Sequence, residues 1–213
     1  MCKLPDKIQP KNRVQLVQLI DYAFKHKQYD LNFIDTSKIT DMSGLFTCIA
    51  HDFDVSSWDV SNAKNIGYMF YNCKNFNCDL SNWDVSNVTD MTSMFAFCNK
   101  FDCDLSNWDV SNVTDMAGMF VECENFNCDL PYWYVSNVTN MGYMFYHCKN
   151  FNCDLSNWDV SKVKNMNYIF YNCKNFNCDL SDWDISNMTR WKNMFCKCDK
   201  MTIPNWYKLY PKK

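Results

Sequence analysis

Tryptophan returns every 25 residues along this chain, at Trp58, Trp83, Trp108, Trp133, Trp158 and Trp183, and phenylalanine follows at Phe70, Phe95, Phe120, Phe145, Phe170 and Phe195. A constant period means that each unit meets its neighbour in the same way, so the units are expected to stack into one elongated array. Such a chain presents a surface, and nothing in it announces chemistry. The unit reads close to NFNCDLSNWDVSNVTDMxxMFxxCK, and its Trp-Asp-Val triplet recurs seven times, first as Ile34-Asp35-Thr36.

Apolar residues make up 47% of the chain, enough for a continuous core, and a formal charge of −3 is too mild to imply a nucleic-acid or membrane-surface partner. No run of apolar residues is long enough for a transmembrane helix. The start, MCKLPDKIQPKNRV, lacks a hydrophobic signal-peptide core. A cytoplasmic protein is expected on that ground unless a leader precedes it, and Cys2 is a candidate lipid-bearing cysteine in the second case. With Gly 4 and Pro 5, turns must come from Asn and Asp, which tolerate left-handed backbone and bond their own main chain.

Within one unit, Leu80, Trp83, Val85 and Val88 give an L-x-x-L-x-L spacing like the strand end of a leucine-rich repeat. Val88, Met91, Met94, Phe95 and Cys98 then fall on one stripe of a short helix, capped by Asn87 or Thr89. Phe76, Cys78 and Leu80 alternate with polar residues on the way back. Pro131 replaces the serine seen at Ser81 and cannot donate to a ladder, so pairing is expected to centre on the triplet. The expected architecture is α/β: a right-handed leucine-rich-repeat-like solenoid of about seven coils, with a parallel sheet on one face and short helical turns on the other. Residues 1–30 would form an N-terminal capping helix with Val14, Val17, Ile20 and Phe24 on one face. Residues 31–200 would form the repeats. Residues 201–213, with Ile203, Pro204, Trp206, Leu209 and Tyr210, would close the end.

The tandem DLSxWDVSNVTDMxxMFxxC units over about residues 31–200, entered through IDTSKITDMSGLF, resemble the BspA-like leucine-rich-repeat surface proteins. That resemblance implies the right-handed solenoid and a non-enzymatic role in adhesion or protein binding at a bacterial surface. The chain departs from the leucine-rich pattern where Val88, Val113, Val138 and Val163 stand at the usual Asn/Cys position.

Two cysteine columns run through the units: Cys73, Cys98, Cys123, Cys148, Cys173 and Cys198, and Cys78, Cys103, Cys128, Cys153 and Cys178. Their five Cys-x4-Cys pairs admit a metal or disulfides, but a column of identical residues is best read as packing, with no cofactor. Many unpaired thiols fit a reducing compartment. The tryptophan column is read as core in preference to a sugar-binding stripe. The binding candidates lie on the outward file of Asp59, Asp84, Asp109, Tyr134, Asp159 and Asp184, beside Ser57, Asn82, Asn107, Tyr132, Asn157 and Asp182. Stacked like charges need compensation, from turn bonds, a cation or a basic partner. A second file (Asp54, Asp79, Asp104, Asp129, Asp154, Asp179) is assigned to turns. In the Trp133 unit Tyr132 and Tyr134 replace Asn and Asp, and paired surface aromatics resemble an interface anchor; drift in one repeat is the other reading. Asn-x-Thr occurs at Asn87, Asn112, Asn137 and Asn187, where helix capping suffices as an explanation.

An enzyme using paired carboxylates is disfavoured. Every Asp has the same surroundings, and His26, His51 and His147 are scattered, so no acid–base pair is set apart. The expectation is a non-enzymatic scaffold that binds a protein partner, with an intracellular structural or interaction repeat protein as the alternative.

Overall fold

The computed structural model describes residues 7–209. Cys2 and Tyr210, named above, lie outside them. Among the described residues helix is confined to α1 (Arg13–Lys25) and α2 (Asn205–Leu209), and β structure to isolated parallel bridges. The expected α/β leucine-rich-repeat solenoid is therefore wrong: there is no parallel sheet on the triplet, and no helical turn follows it.

Each unit is instead a succession of turns closed by backbone bonds from residue i+3 back to residue i. Around Trp83 the amides of Trp83, Val88, Met94, Ala96, Cys98 and Phe101 bond the carbonyls of Leu80, Val85, Met91, Ser93, Phe95 and Cys98. Apart from Ser93 the ends of these turns are buried, so a chain of turns places an apolar side chain inward at nearly every third residue. That spacing imitates both a leucine-rich strand end and a helical stripe.

A helix is excluded over Met91–Cys98 by where the amides go. Met91, Ser93, Phe95 and Phe97 donate along the stack to the carbonyls of Asp115, Ala117, Met119 and Val121, at 3.0, 2.8, 2.9 and 2.6 Å. Ser93 and Phe97 also hold left-handed φ of 52 and 65°, which an α-helix cannot contain. The triplet fails as a strand because nearby amides are already taken. Ser81 and Ser86 donate theirs to the carboxylates of Asp79 and Asp84, at 2.9 and 3.1 Å.

The units are nonetheless in register. Parallel bridges join Asp41 to Asn65, Asn65 to Asp90, Asp90 to Asp115, and onward to Arg190. Phe46, Phe70, Phe95, Phe120, Phe145, Phe170 and Phe195 form one file, neighbouring ring centroids lying between 5.5 and 5.8 Å apart. A second file, Phe76, Phe101, Phe126, Phe151 and Phe176, packs beside it, as with Phe95 and Phe101 at 4.0 Å. Offset stacking of this kind adds to the gain from burying the rings.

At the N-terminal end the Asn12 side chain accepts from the Gln15 amide and starts α1. Its buried residues are Leu16, Ile20 and Ala23, while Val14 is 67% exposed, so the face expected from Val14 and Val17 is corrected. Phe24 lies 6.3 Å from Phe46 at the end of the phenylalanine file, and Arg13 donates to the Ser43 carbonyl beside Asp41. At the other end Trp206 donates its indole N–H to the Leu180 carbonyl at 2.8 Å, and Tyr207 packs on Phe195 at 5.0 Å.

Candidate functional site

In an ordinary unit the stretch around the tryptophan is held by side chains. Trp108 donates its indole N–H to the Leu80 carbonyl at 3.0 Å, and the Asn112 amide nitrogen donates to the Ser86 carbonyl at 2.7 Å. The Leu105 amide donates to the Cys128 sulfur at 3.2 Å. Within the unit, Asp104 and Asp109 accept the amides of Ser106 and Ser111, each closing a turn. Asn87, Asn137 and Asn187 repeat the Asn112 bond, so these asparagines tie units together and cap no helix.

The proposed aspartate file is explained by the same geometry. Asp59, Asp84, Asp109, Asp159 and Asp184 accept the amides of Ser61, Ser86, Ser111, Ser161 and Ser186 at 2.9 to 3.1 Å. Asp159 titrates below the usual carboxylate range chiefly through the Ser161 hydroxyl, and Asp184 chiefly through the Ser186 amide. Turn bonds thus stabilise the stacked charges.

The Trp133 unit breaks this pattern at several places. Pro131 has no amide to give Asp129, and Tyr134 has no carboxylate to accept from Ser136. The indole N–H of Trp158, whose counterparts donate to the leucine carbonyl of the preceding unit, is buried without a partner. The Cys153 thiol, where Cys128 and Cys178 accept a leucine amide, approaches the Cys128 carbonyl at 2.6 Å. Tyr132 and Tyr134 stand 61% and 67% exposed, and with Asn107, Trp108, Asp109 and Ser111 they line a shallow recess of about 350 Å³. The structure therefore brings Tyr132, Tyr134 and Asp109 together. Asp59, Asp84 and Asp184 belong to other units along the file.

The first cysteine column is buried from Cys73 to Cys173 and half-buried at Cys198, its thiols donating to the phenylalanine carbonyl of the preceding unit, as Cys98 does to Phe70 at 3.0 Å. The second column interleaves with leucine amides. Burial pushes the thiols up, to about 12 for Cys73, Cys78, Cys128 and Cys153, which suppresses the thiolate needed for nucleophilic or metal chemistry. All the described cysteines are unbridged, and among the described residues no group of three His, Cys, Asp or Glu is placed to hold a metal ion. Among the described residues no helix is long and apolar enough to cross a membrane.

A second surface escapes the sequence reading. Tyr143 stacks on Tyr168 at 4.9 Å and Tyr146 on Tyr171 at 5.1 Å, with His147 against Tyr146 at 4.3 Å. These residues fill the variable positions of MxxMFxxC, which drop out when the unit is reduced to its shared letters. Tyrosines at one spacing in neighbouring units were the available signal.

A family model described as Mycoplasma protein of unknown function, DUF285, matches residues 15–120 and again residues 97–206. No curated protein and no solved structure matches the chain. The two overlapping matches span nearly all of the turn-built stack, and the chain belongs to this bacterial repeat family, DUF285.

Proposed function

We propose that the protein is a non-enzymatic repeat scaffold that binds a protein partner through the Trp133 unit, with Tyr132 and Tyr134 as anchors. One observation carries this. The unit forgoes turn and inter-unit hydrogen bonds that its neighbours make, and it exposes two large aromatics that gain nothing from the core. A local rule broken without structural compensation is what a binding site looks like, and exposed tyrosine is a common interface anchor.

Asp109 and Asp159 stand one unit away on either side of Tyr134 in the outward file, so the anchor sits in an acidic setting that suits a basic patch on the partner. A non-enzymatic role is the reading these carboxylates favour, since Asp109 and Asp159 each accept the amide of the serine two residues on, in the same manner. The resemblance to BspA-like surface repeats supports adhesion or host interaction at a bacterial surface as the setting. The unbridged cysteines favour a second reading, an interaction protein inside the cell.

The test is a comparative pull-down with wild type and the Tyr132→Asn/Tyr134→Asp variant, which restores the residues of the other units. A partner retained by wild type should be lost by the variant while thermal unfolding is unchanged or slightly later. Recovery of the same proteins by both would falsify the assignment.

A further inference from the structure

Apart from the Trp133 recess, the tyrosine face has features that no packing need explains. Its position in the unit has left-handed backbone throughout, with φ of 62° at Gly44, 58° at Tyr68, 52° at Ser93, 64° at Gly118, 60° at Tyr143, 56° at Tyr168 and 52° at Asn193. Such backbone favours glycine or asparagine, so tyrosine at three of these places is held against a conformational cost. Two of the three are adjacent, and each brings a second tyrosine three residues on.

The four rings form two files that run along the stack. Tyr143 and Tyr168 are parallel to within 14°, as are Tyr146 and Tyr171 to within 12°. The files are inclined at 55° and 59° to each other, with centroids 5.7 and 5.8 Å apart. The result is a trough with aromatic walls. His147 lies beside Tyr146 and Tyr171, and burial lowers its pKa, so it adds no charge near neutral pH. Charges of opposite sign mark the two ends. Lys197 holds its ammonium 5.2 Å from the Tyr171 ring centre, and Glu122 acts on Tyr146 and His147 from the unit before. The other charges facing His147, Glu124 and Lys149, pair with each other at 2.6 Å.

We propose that this trough binds an extended, proline-rich peptide segment, with a basic residue toward Glu122 and an acidic residue toward Lys197. Within each file the two rings cover one face of each other, so the outward surface between them is one of ring edges and not a broad flat platform for a sugar. Glu122 and Glu124 oppose a phosphate backbone. What the trough offers is ring edges, phenol hydroxyl donors and an inclined apolar cleft. A polyproline II segment brings the complement: pyrrolidine rings and carbonyls with no internal hydrogen bonds. Three unit steps of about 5 Å separate the rungs of Glu122 and Lys197, about the length of five residues at the polyproline II rise of about 3.1 Å.

The test is titration of the full chain with a labelled peptide of about six prolines, flanked by two arginines at one end and two glutamates at the other, read by fluorescence anisotropy. Wild type should bind saturably. Tyr146→Ala/Tyr171→Ala should weaken binding by about tenfold or more, and Tyr132→Asn/Tyr134→Asp should leave it unchanged, which separates this site from the Trp133 recess. The single surface change Lys197→Glu should weaken binding of the same peptide without touching the fold. No saturable binding in the millimolar range, or equal affinity for wild type and both trough variants, overturns the proposal.

Discussion

Two stretches of the same coil are joined to their neighbours by different chemistry. From Met91 to Phe97 the main chain does the joining: alternate amides reach the carbonyls of the next unit whatever the side chains are. From Asp79 to Asn87 the side chains do it, through the tryptophan indole and the asparagine amide, while the aspartates close the turns that hold these groups in place. The consequence is visible along the chain. The side-chain-joined stretch is almost the same in every unit, because most of its letters hold a bond or fill the core. The main-chain-joined stretch carries Tyr68, Ser93, Gly118, Tyr143, Tyr168 and Asn193 at one and the same place. Variation is cheap where the backbone bears the joint. The Trp133 unit varies where variation is costly, and the tyrosine trough lies where it is permitted.

The largest expected effect tests the costly stretch. Ser106→Pro would copy Pro131 into an ordinary unit and delete the Ser106 amide bond to Asp104. If the pattern around Pro131 is transferable, the bonds of Leu105 to Trp133 and to Cys128 should weaken too. Each lost bond is worth about 1 kcal/mol, offset by about 0.4–1 kcal/mol from the stiffer unfolded chain. A net loss of about 1–2 kcal/mol in urea unfolding is expected. No change in the midpoint would mean that the Trp133 unit forgoes nothing, and the contrast between the stretches would fail.

The period and the buried columns were legible in the letters, since Trp, Phe and Cys recur at a spacing no other arrangement explains. The backbone was not legible. Apolar residues at every third place, as in Val88, Met91 and Met94, are produced alike by a leucine-rich coil, a helical turn and a chain of turns. The discriminating signal is Asp-x-Ser or its equivalent, three times per unit. Asp79 with Ser81, Asp84 with Ser86 and Asp90 with Thr92 each tie up an amide that a strand or helix would need. For the Asp84 file the sequence left turn bonds, a cation and a basic partner open as compensation, and the structure supplies the turn bonds. Of the candidate site, Tyr132 and Tyr134 were legible as exceptions to a rule, whereas Tyr143, Tyr146, Tyr168 and Tyr171 sat where the unit has no rule.

A smaller effect should appear as pH falls. Serine amides and hydroxyls bonded to Asp79, Asp104, Asp154 and Asp179 hold these carboxyls below their ordinary range. Groups with depressed folded-state pKa contribute stability that is complete above the unfolded value, about 4. It is lost as pH drops through the lower folded value. Asparagine keeps the acceptor oxygen and has no proton to gain. The set Asp79→Asn, Asp104→Asn, Asp154→Asn and Asp179→Asn should therefore flatten the acid limb of a stability–pH curve while leaving neutral stability close to wild type. A limb as steep as wild type would show that these turn bonds carry no pH-dependent stability.

The smallest effect belongs to the permissive stretch. Tyr143→Asn removes a ring stacked at 4.9 Å on Tyr168, a loss of about 0.5–1.5 kcal/mol. It also puts a residue suited to left-handed backbone where φ is 60°, a gain of about 1 kcal/mol. The two nearly cancel, and the amide of residue 143 still donates to the Asn167 carbonyl at 2.8 Å because that bond involves no side chain. Thermal unfolding should shift by no more than a degree or so in either direction. A large drop would mean that tyrosine at this place supports the stack, in which case its presence there would be structural and the trough would need no ligand to explain it.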